Sequence, residues 1–96
     1  MSKHTIVQFI QQFDKDKDTF LYGMCYWFAV ILSSRFGGEI YYNDIDNHFA
    51  TLIGNSLYDV TGELYNKSEF IPWEQYSPNS SERKRVIKYC ILKEDC

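Results

Sequence analysis

Three residues in this chain have types and spacings that could do nucleophilic chemistry. Cys25 sits in "LYGMCYWFAV", the most apolar ten-residue stretch, just after Gly23 and Met24. His48 opens a β-rich run, "HFATLI", and Asp59 follows eleven residues later in "SLYDV". A cysteine nucleophile needs a stabilised thiolate, a base to take its proton, and a third group that orients the base. The stretch after Gly23 reads as the first turn of a helix, where aligned peptide dipoles and free N–H groups favour a thiolate. The same N–H groups could donate to an oxyanion during acyl transfer.

The hairpin that carries His48 and Asp59 can be worked out from its turn. If Gly54 and Asn55 form a two-residue connection, Ile53 pairs with Ser56, Ala50 faces Asp59 and Thr61 faces His48. Strand side chains alternate, so His48 and Asp59 point to the same side as diagonal neighbours, roughly 7–8 Å apart at the backbone. A slip of one residue would separate them. Each residue alone has a plainer explanation: a cysteine in an apolar helix is usually just buried, and an Asp before "VTG" is often a turn residue. The order Cys at a helix start, His in a strand and Asp in the next strand is what makes the set a candidate site.

The elements that must position these residues follow from periodicity. "HTIVQFIQQF" places Ile6, Phe9, Ile10 and Phe13 on one face of an amphipathic helix. "DKDKD" interrupts it as a charged loop. A second helix is expected from Gly23 to Phe36, apolar on nearly all sides and hence central, with Gly37 and Gly38 capping its end. Three short strands follow: "EIYYN", then, across the loop "DIDN", "HFATLI" and "SLYDV". The segment "TGELYNKSEFIPWEQYSPNSS" reads as irregular, wrapping the core through Phe70, Ile71, Trp73 and Tyr76. After a capping serine, Ser80 or Ser81, the positions Val86, Ile87, Cys90 and Ile91 have helical spacing, with a strand over "VIKYCIL" as the competing assignment. The expected fold is α+β: one domain over residues 1–96, a central helix on an antiparallel sheet of about three strands, flanked by an N-terminal and a C-terminal helix.

Composition narrows the function classes. The chain has 96 residues, enough for one core. An 18% aromatic share, with eight Tyr, lets few residues fill that core. Ten basic against thirteen acidic residues give a net charge of −3, which speaks against a nucleic-acid binder. The basic run "ERKRVIKY" reads as the solvated face of a helix. The apolar run from Phe20 to Leu32 falls short of the roughly 20 residues that cross a bilayer, so no membrane partner is expected. "MSKHTIVQFI" does not read as a secretory leader. Cys25, Cys90 and Cys96 show no C-x-x-C spacing, which points to reduced thiols in the cytoplasm. No metal or other cofactor is expected: His4 and His48 are far apart. Asp14, Asp16 and Asp18 match the first three ligands of an EF-hand loop, but Thr19 and Cys25 stand where Gly and a bidentate Glu are needed.

"GMCYWFA", "GGEIYY" and "NHFATLIGNSLYDVTG" together resemble the papain-like cysteine peptidase fold in a minimal form, shared with cell-wall amidases and transglutaminase-like proteins. Small proteins with a similar histidine strand are encoded by bacteria or phages. The resemblance implies Cys25 as nucleophile, His48 as general base and then acid, and Asp59 as the group that holds the imidazole tautomer. Two features depart from it. The chain has no room for the second lobe that builds a protease cleft, and its oxyanion donors reduce to Tyr22 and Asn47 as candidates. Two functions follow as expectations: a thiol hydrolase, a peptidase or amidase that forms a thioester with a peptide, protein or small amide substrate, or an inactive relative that binds a protein target, such as a small phage-encoded inhibitor of a host protein. Catalysis requires the Cys25 sulfur within about 4 Å of the His48 ring; placement on opposite sides of the sheet removes it.

Overall fold

A computed structural model of the protein describes residues 2–65, 69–75 and 80–88. Helix α1 (Lys3–Gln11) begins at Ser2, whose hydroxyl accepts the Thr5 N–H, and it buries Ile6 and Ile10 as its periodicity predicts. Phe9 and Phe13 pack beside them, half-buried. The expected loop at "DKDKD" is instead a 3-10 turn, Asp14–Asp16, running into helix α2 (Lys17–Tyr22). Asp18 falls in the first turn of α2, where the positive end of the helix dipole suits a carboxylate. Two residues later, helix α3 (Cys25–Phe36) starts at the cysteine itself rather than at Gly23.

The two glycines that end α3 do different work. Gly37 has φ +80° and donates its N–H to the Ser33 carbonyl, a left-handed C-terminal cap. Gly38 is not in that conformation. A Cβ there would lie 2.2 Å from the Leu52 carbonyl oxygen, so the absence of a side chain lets the exit of α3 press against the sheet.

Five antiparallel strands form one sheet: β1 (Glu39–Asn43), β2 (His48–Ile53), β3 (Ser56–Asp59), β4 (Gly62–Leu64) and β5 (Ile71–Pro72). Their spatial order is β4-β3-β2-β1-β5. The architecture is α+β, as expected, with two more strands than the three expected. β4 and β5 lie in the stretch read as irregular. Three and two residues are too few to display a period, and Pro72 is tolerated because β5 is an edge strand.

The two faces of the sheet are covered differently. Toward the helices, Tyr42 and Phe49 join Cys25, Ala29, Trp73 and Val86, while Tyr58 joins Ile6, Ile10, Phe28, Leu32 and Val60. The Thr51 hydroxyl donates to the Ala29 carbonyl at 2.9 Å across the same interface. Helix α3 is thus central: Cys25 and Ala29 serve one cluster, Phe28 and Leu32 the other. Edge-on ring contacts of Phe13 with Phe20 and Phe28 account for part of the aromatic content. The opposite face carries Ala50 and Leu57 under Phe70, with Tyr41, Leu52 and Leu64 around them.

Of the residues expected to wrap the core, Phe70 and Trp73 are buried, but Ile71 is exposed; Tyr76 lies outside the described residues. Helix α4 (Ser81–Val86) is capped by Ser80, which accepts the Arg83 N–H, and it buries Val86 completely. Most of "VIKYCIL", including Cys90 and Ile91, lies outside the described residues. Among those described, no helix is long and apolar enough to cross a membrane.

Candidate functional site

The β2–β3 turn has the register that Gly54 and Asn55 predict: Ile53 pairs with Ser56, Leu52 with Leu57 and Thr51 with Tyr58. His48 and Asp59 therefore meet, with His48 Nε2 and Asp59 Oδ2 2.7 Å apart. Thr61 does not face His48. Asp59 pairs with Gly62, so Val60 and Thr61 form the tight turn into β4. From that turn Thr61 donates both its backbone N–H (2.7 Å) and its hydroxyl to Asp59 Oδ1. Extending the hairpin past Asp59 misses this role, although a hydroxyl two residues after an Asp is a usual sign of an Asx-type turn.

Asp59 is buried, 5% exposed. Burial pushes its carboxyl up, but the hydrogen bond from His48, the two from Thr61 and the charge of His48 outweigh it. The net effect holds Asp59 below the usual carboxylate range. An ionised Asp59 accepts from His48, so Nε2 carries the proton and Nδ1 is the basic nitrogen of the neutral ring. The ring also meets Phe70 edge-on, centroids 6.4 Å apart. Chemically, the pair is a histidine of fixed tautomer held by a buried carboxylate, which is what a general base requires.

The nucleophile is not beside it. Cys25 is 2% exposed and packs with Phe49 and Tyr42, between α3 and the sheet. His48 precedes Phe49 on the same strand and so points the other way, to the Phe70 face, along with Ala50. Asp59 likewise shares the face of Leu57 and opposes that of Tyr58. The structure thus joins two of the three expected site residues and leaves the third across the sheet from them. In addition, Cys25 is disulfide-bonded. The reduced thiol expected from the cysteine spacing is not what this position holds.

The other candidates are also committed elsewhere. Asn47, with φ +53°, accepts the Tyr42 hydroxyl on its Oδ1, which makes it a brace for the β1–β2 loop. The Tyr22 side chain lies outside what is described. Asp14 and Asp16 are exposed, Asp14 lying 3.8 Å from Lys17, and no group of three metal-ligating side chains occurs among the described residues. Asn43, which the sequence does not single out, is fully buried opposite His48 in the β1–β2 ladder. Its Oδ1 accepts the N–H groups of Ile45 (2.9 Å) and Asp46 (3.3 Å), and its Nδ2 donates to Asp46 and Glu69. It shapes the loop that delivers His48 to the start of β2.

Comparison with known proteins adds one finding. A family profile described as Phage YunG-like protein matches residues 6–90. The chain belongs to the phage YunG-like family. The match runs from the buried face of α1 to past α4, so it takes in the whole described sheet and both sides of the His48–Asp59 pair. No curated protein and no solved structure matches this YunG-like chain.

Proposed function

We propose that this phage YunG-like protein is a non-catalytic binding domain that acts on a protein target by association, not by acyl transfer through Cys25. The observation that carries this reading is the sheet between Cys25 and the His48–Asp59 pair. A base can activate a thiol only within hydrogen-bond reach, directly or through one water. A sulfur buried among Phe49, Trp73 and Val86 has no such path to a ring on the far face. A disulfide-bonded sulfur also has no thiolate to offer.

In this reading His48, Asp59 and Thr61 tie β2 to the β3–β4 turn, and Cys25 is a core residue and staple. Trp27 and Tyr65 are exposed aromatic side chains of a kind concentrated where proteins meet. The phage family fits the idea of a small protein that engages a host component.

Thiol reactivity tests it. The native protein is treated with iodoacetamide before and after reduction, across pH, alongside a His48→Ala variant. We expect Cys25 to resist alkylation until reduced, and His48→Ala then to leave its rate and pH profile unchanged. A stoichiometric complex with a host protein, rebuilt from purified components, is the positive counterpart. An acyl adduct on reduced Cys25 that disappears in His48→Ala would overturn the proposal in favour of a thiol hydrolase.

A further inference from the structure

Between the first turn of α1 and the β2–β3 turn lies a cavity of about 390 Å³, lined by Lys3, Ile6, Ile53, Asn55, Ser56 and Tyr58. Ser56 and Tyr58 are two apart on β3 and so share the face under α1. They are 5% and 1% exposed. Among the described residues neither hydroxyl has a hydrogen-bond partner, yet no fully enclosed side-chain oxygen lacks one. What exposure these two oxygens keep is therefore toward the cavity they line. Both hydroxyls are thus open to an acceptor that enters the cavity.

The rest of the lining matches those hydroxyls. Lys3 stands at the rim and uses one of its three N–H donors on Glu63, at 2.9 Å. The nine-residue helix α1 presents its positive end on the same side. Ile6 and Ile53 supply apolar walls. Two hydroxyls, the two N–H donors that Lys3 keeps beside Glu63 and a helix start can all donate, which selects a ligand group rich in acceptor oxygens, such as a carboxylate. The isoleucines select an aliphatic body attached to it.

We infer that this cavity binds a carboxylate carried next to a branched aliphatic group, with Ser56 and Tyr58 donating to the carboxylate, Lys3 adding a donor from the rim beside Glu63, and Ile6 and Ile53 packing on the aliphatic part. Such a group occurs as a free branched acid and as the last residue of a peptide ending in an aliphatic side chain. The inference does not rest on the binding-domain reading: its failure leaves the separation of Cys25 from His48 as it stands.

Titration of the labelled, full-length protein by two-dimensional NMR tests it with three probes. N-acetyl-leucine represents a peptide C-terminus, 4-methylpentanoate the free acid, and N-acetyl-leucinamide the same body without the charge. Saturable shifts at Ile6, Ile53, Asn55 and Ser56 are expected with the first or second probe and not with the amide. Tighter binding of N-acetyl-leucine marks a peptide terminus as the source; tighter binding of 4-methylpentanoate marks a free acid. Tyr58→Phe, which keeps the ring, and Ser56→Ala should each weaken binding about tenfold, as expected for a lost bond to a charged acceptor. Each variant's backbone spectrum reports whether it is folded, and Lys3→Gln at the exposed rim gives a third variant with little bearing on the core. Equal binding of the amide, no binding by either acid, or folded variants with unchanged affinity would overturn the inference.

Discussion

At the scale of single residues, Asp59 carries the clearest consequence. Its carboxyl titrates lower in the folded protein than in the unfolded chain, where the value is about 3.9. The folded state then binds fewer protons through that interval, so stability rises with pH across it. The contribution of Asp59 is fully present above the unfolded value and is lost as pH falls through the folded one. Urea unfolding of the wild type between pH 2 and 6 should show this loss, and Asp59→Asn should flatten that part of the curve. Removing His48 should act in the opposite sense on the carboxyl itself. In His48→Ala the burial penalty remains while the strongest opposing bond is gone, so the Asp59 carboxyl resonance should titrate at higher pH than in the wild type. Thr51 offers a simpler test: its hydroxyl bonds the Ala29 carbonyl in a fully buried contact. Thr51→Val keeps the shape, and its urea midpoint should drop by the equivalent of about 1 kcal/mol.

At the scale of elements, the junction from α3 to β1 lies close against β2 at Gly38. Gly37 and Gly38 look alike in sequence but should respond differently to the same change. Gly37→Ala meets no atom and carries only the strain of a left-handed residue, about 1 kcal/mol. Gly38→Ala drives a methyl against the Leu52 carbonyl, a backbone atom held in the ladder near the end of β2. Overpacking of this kind costs typically about 1–3 kcal/mol, and here the upper part of that range is expected. Equilibrium unfolding of the two variants side by side checks the order. The β2–β3 hairpin, by contrast, is legible in the sequence. A Gly-Asn turn of two residues leaves one register, and that register brings His48 to Asp59. β4 and β5 are not legible there, because pairing with a neighbour, not any pattern of their own, makes such short segments strands.

At the scale of the whole molecule, Cys25 at the start of the central helix is disulfide-bonded. Cross-links of this kind typically contribute about 2–4 kcal/mol, chiefly by restricting the unfolded ensemble. Thermal unfolding with and without a phosphine reductant should therefore show a lower midpoint on reduction. Cys25→Ala should unfold near the reduced wild type and no longer respond to the reductant. A wild type indifferent to reductant would mean that the staple adds nothing to stability.

The sequence by itself determined the α+β class, the burial of Ile6 and Ile10, and the pairing of His48 with Asp59. All of these depend on local period or on a turn that fixes its own register. It did not determine which face of the sheet lies under α3. β2 reads His-Phe-Ala-Thr-Leu-Ile, with apolar residues on both faces, so alternation places His48 with Asp59 but leaves open which side Cys25 packs against. Only the tertiary structure decided that. Phe49 and Thr51 took the helix side and His48 the other, because the large ring of Phe49 fills the space against Tyr26, Tyr42 and Trp73.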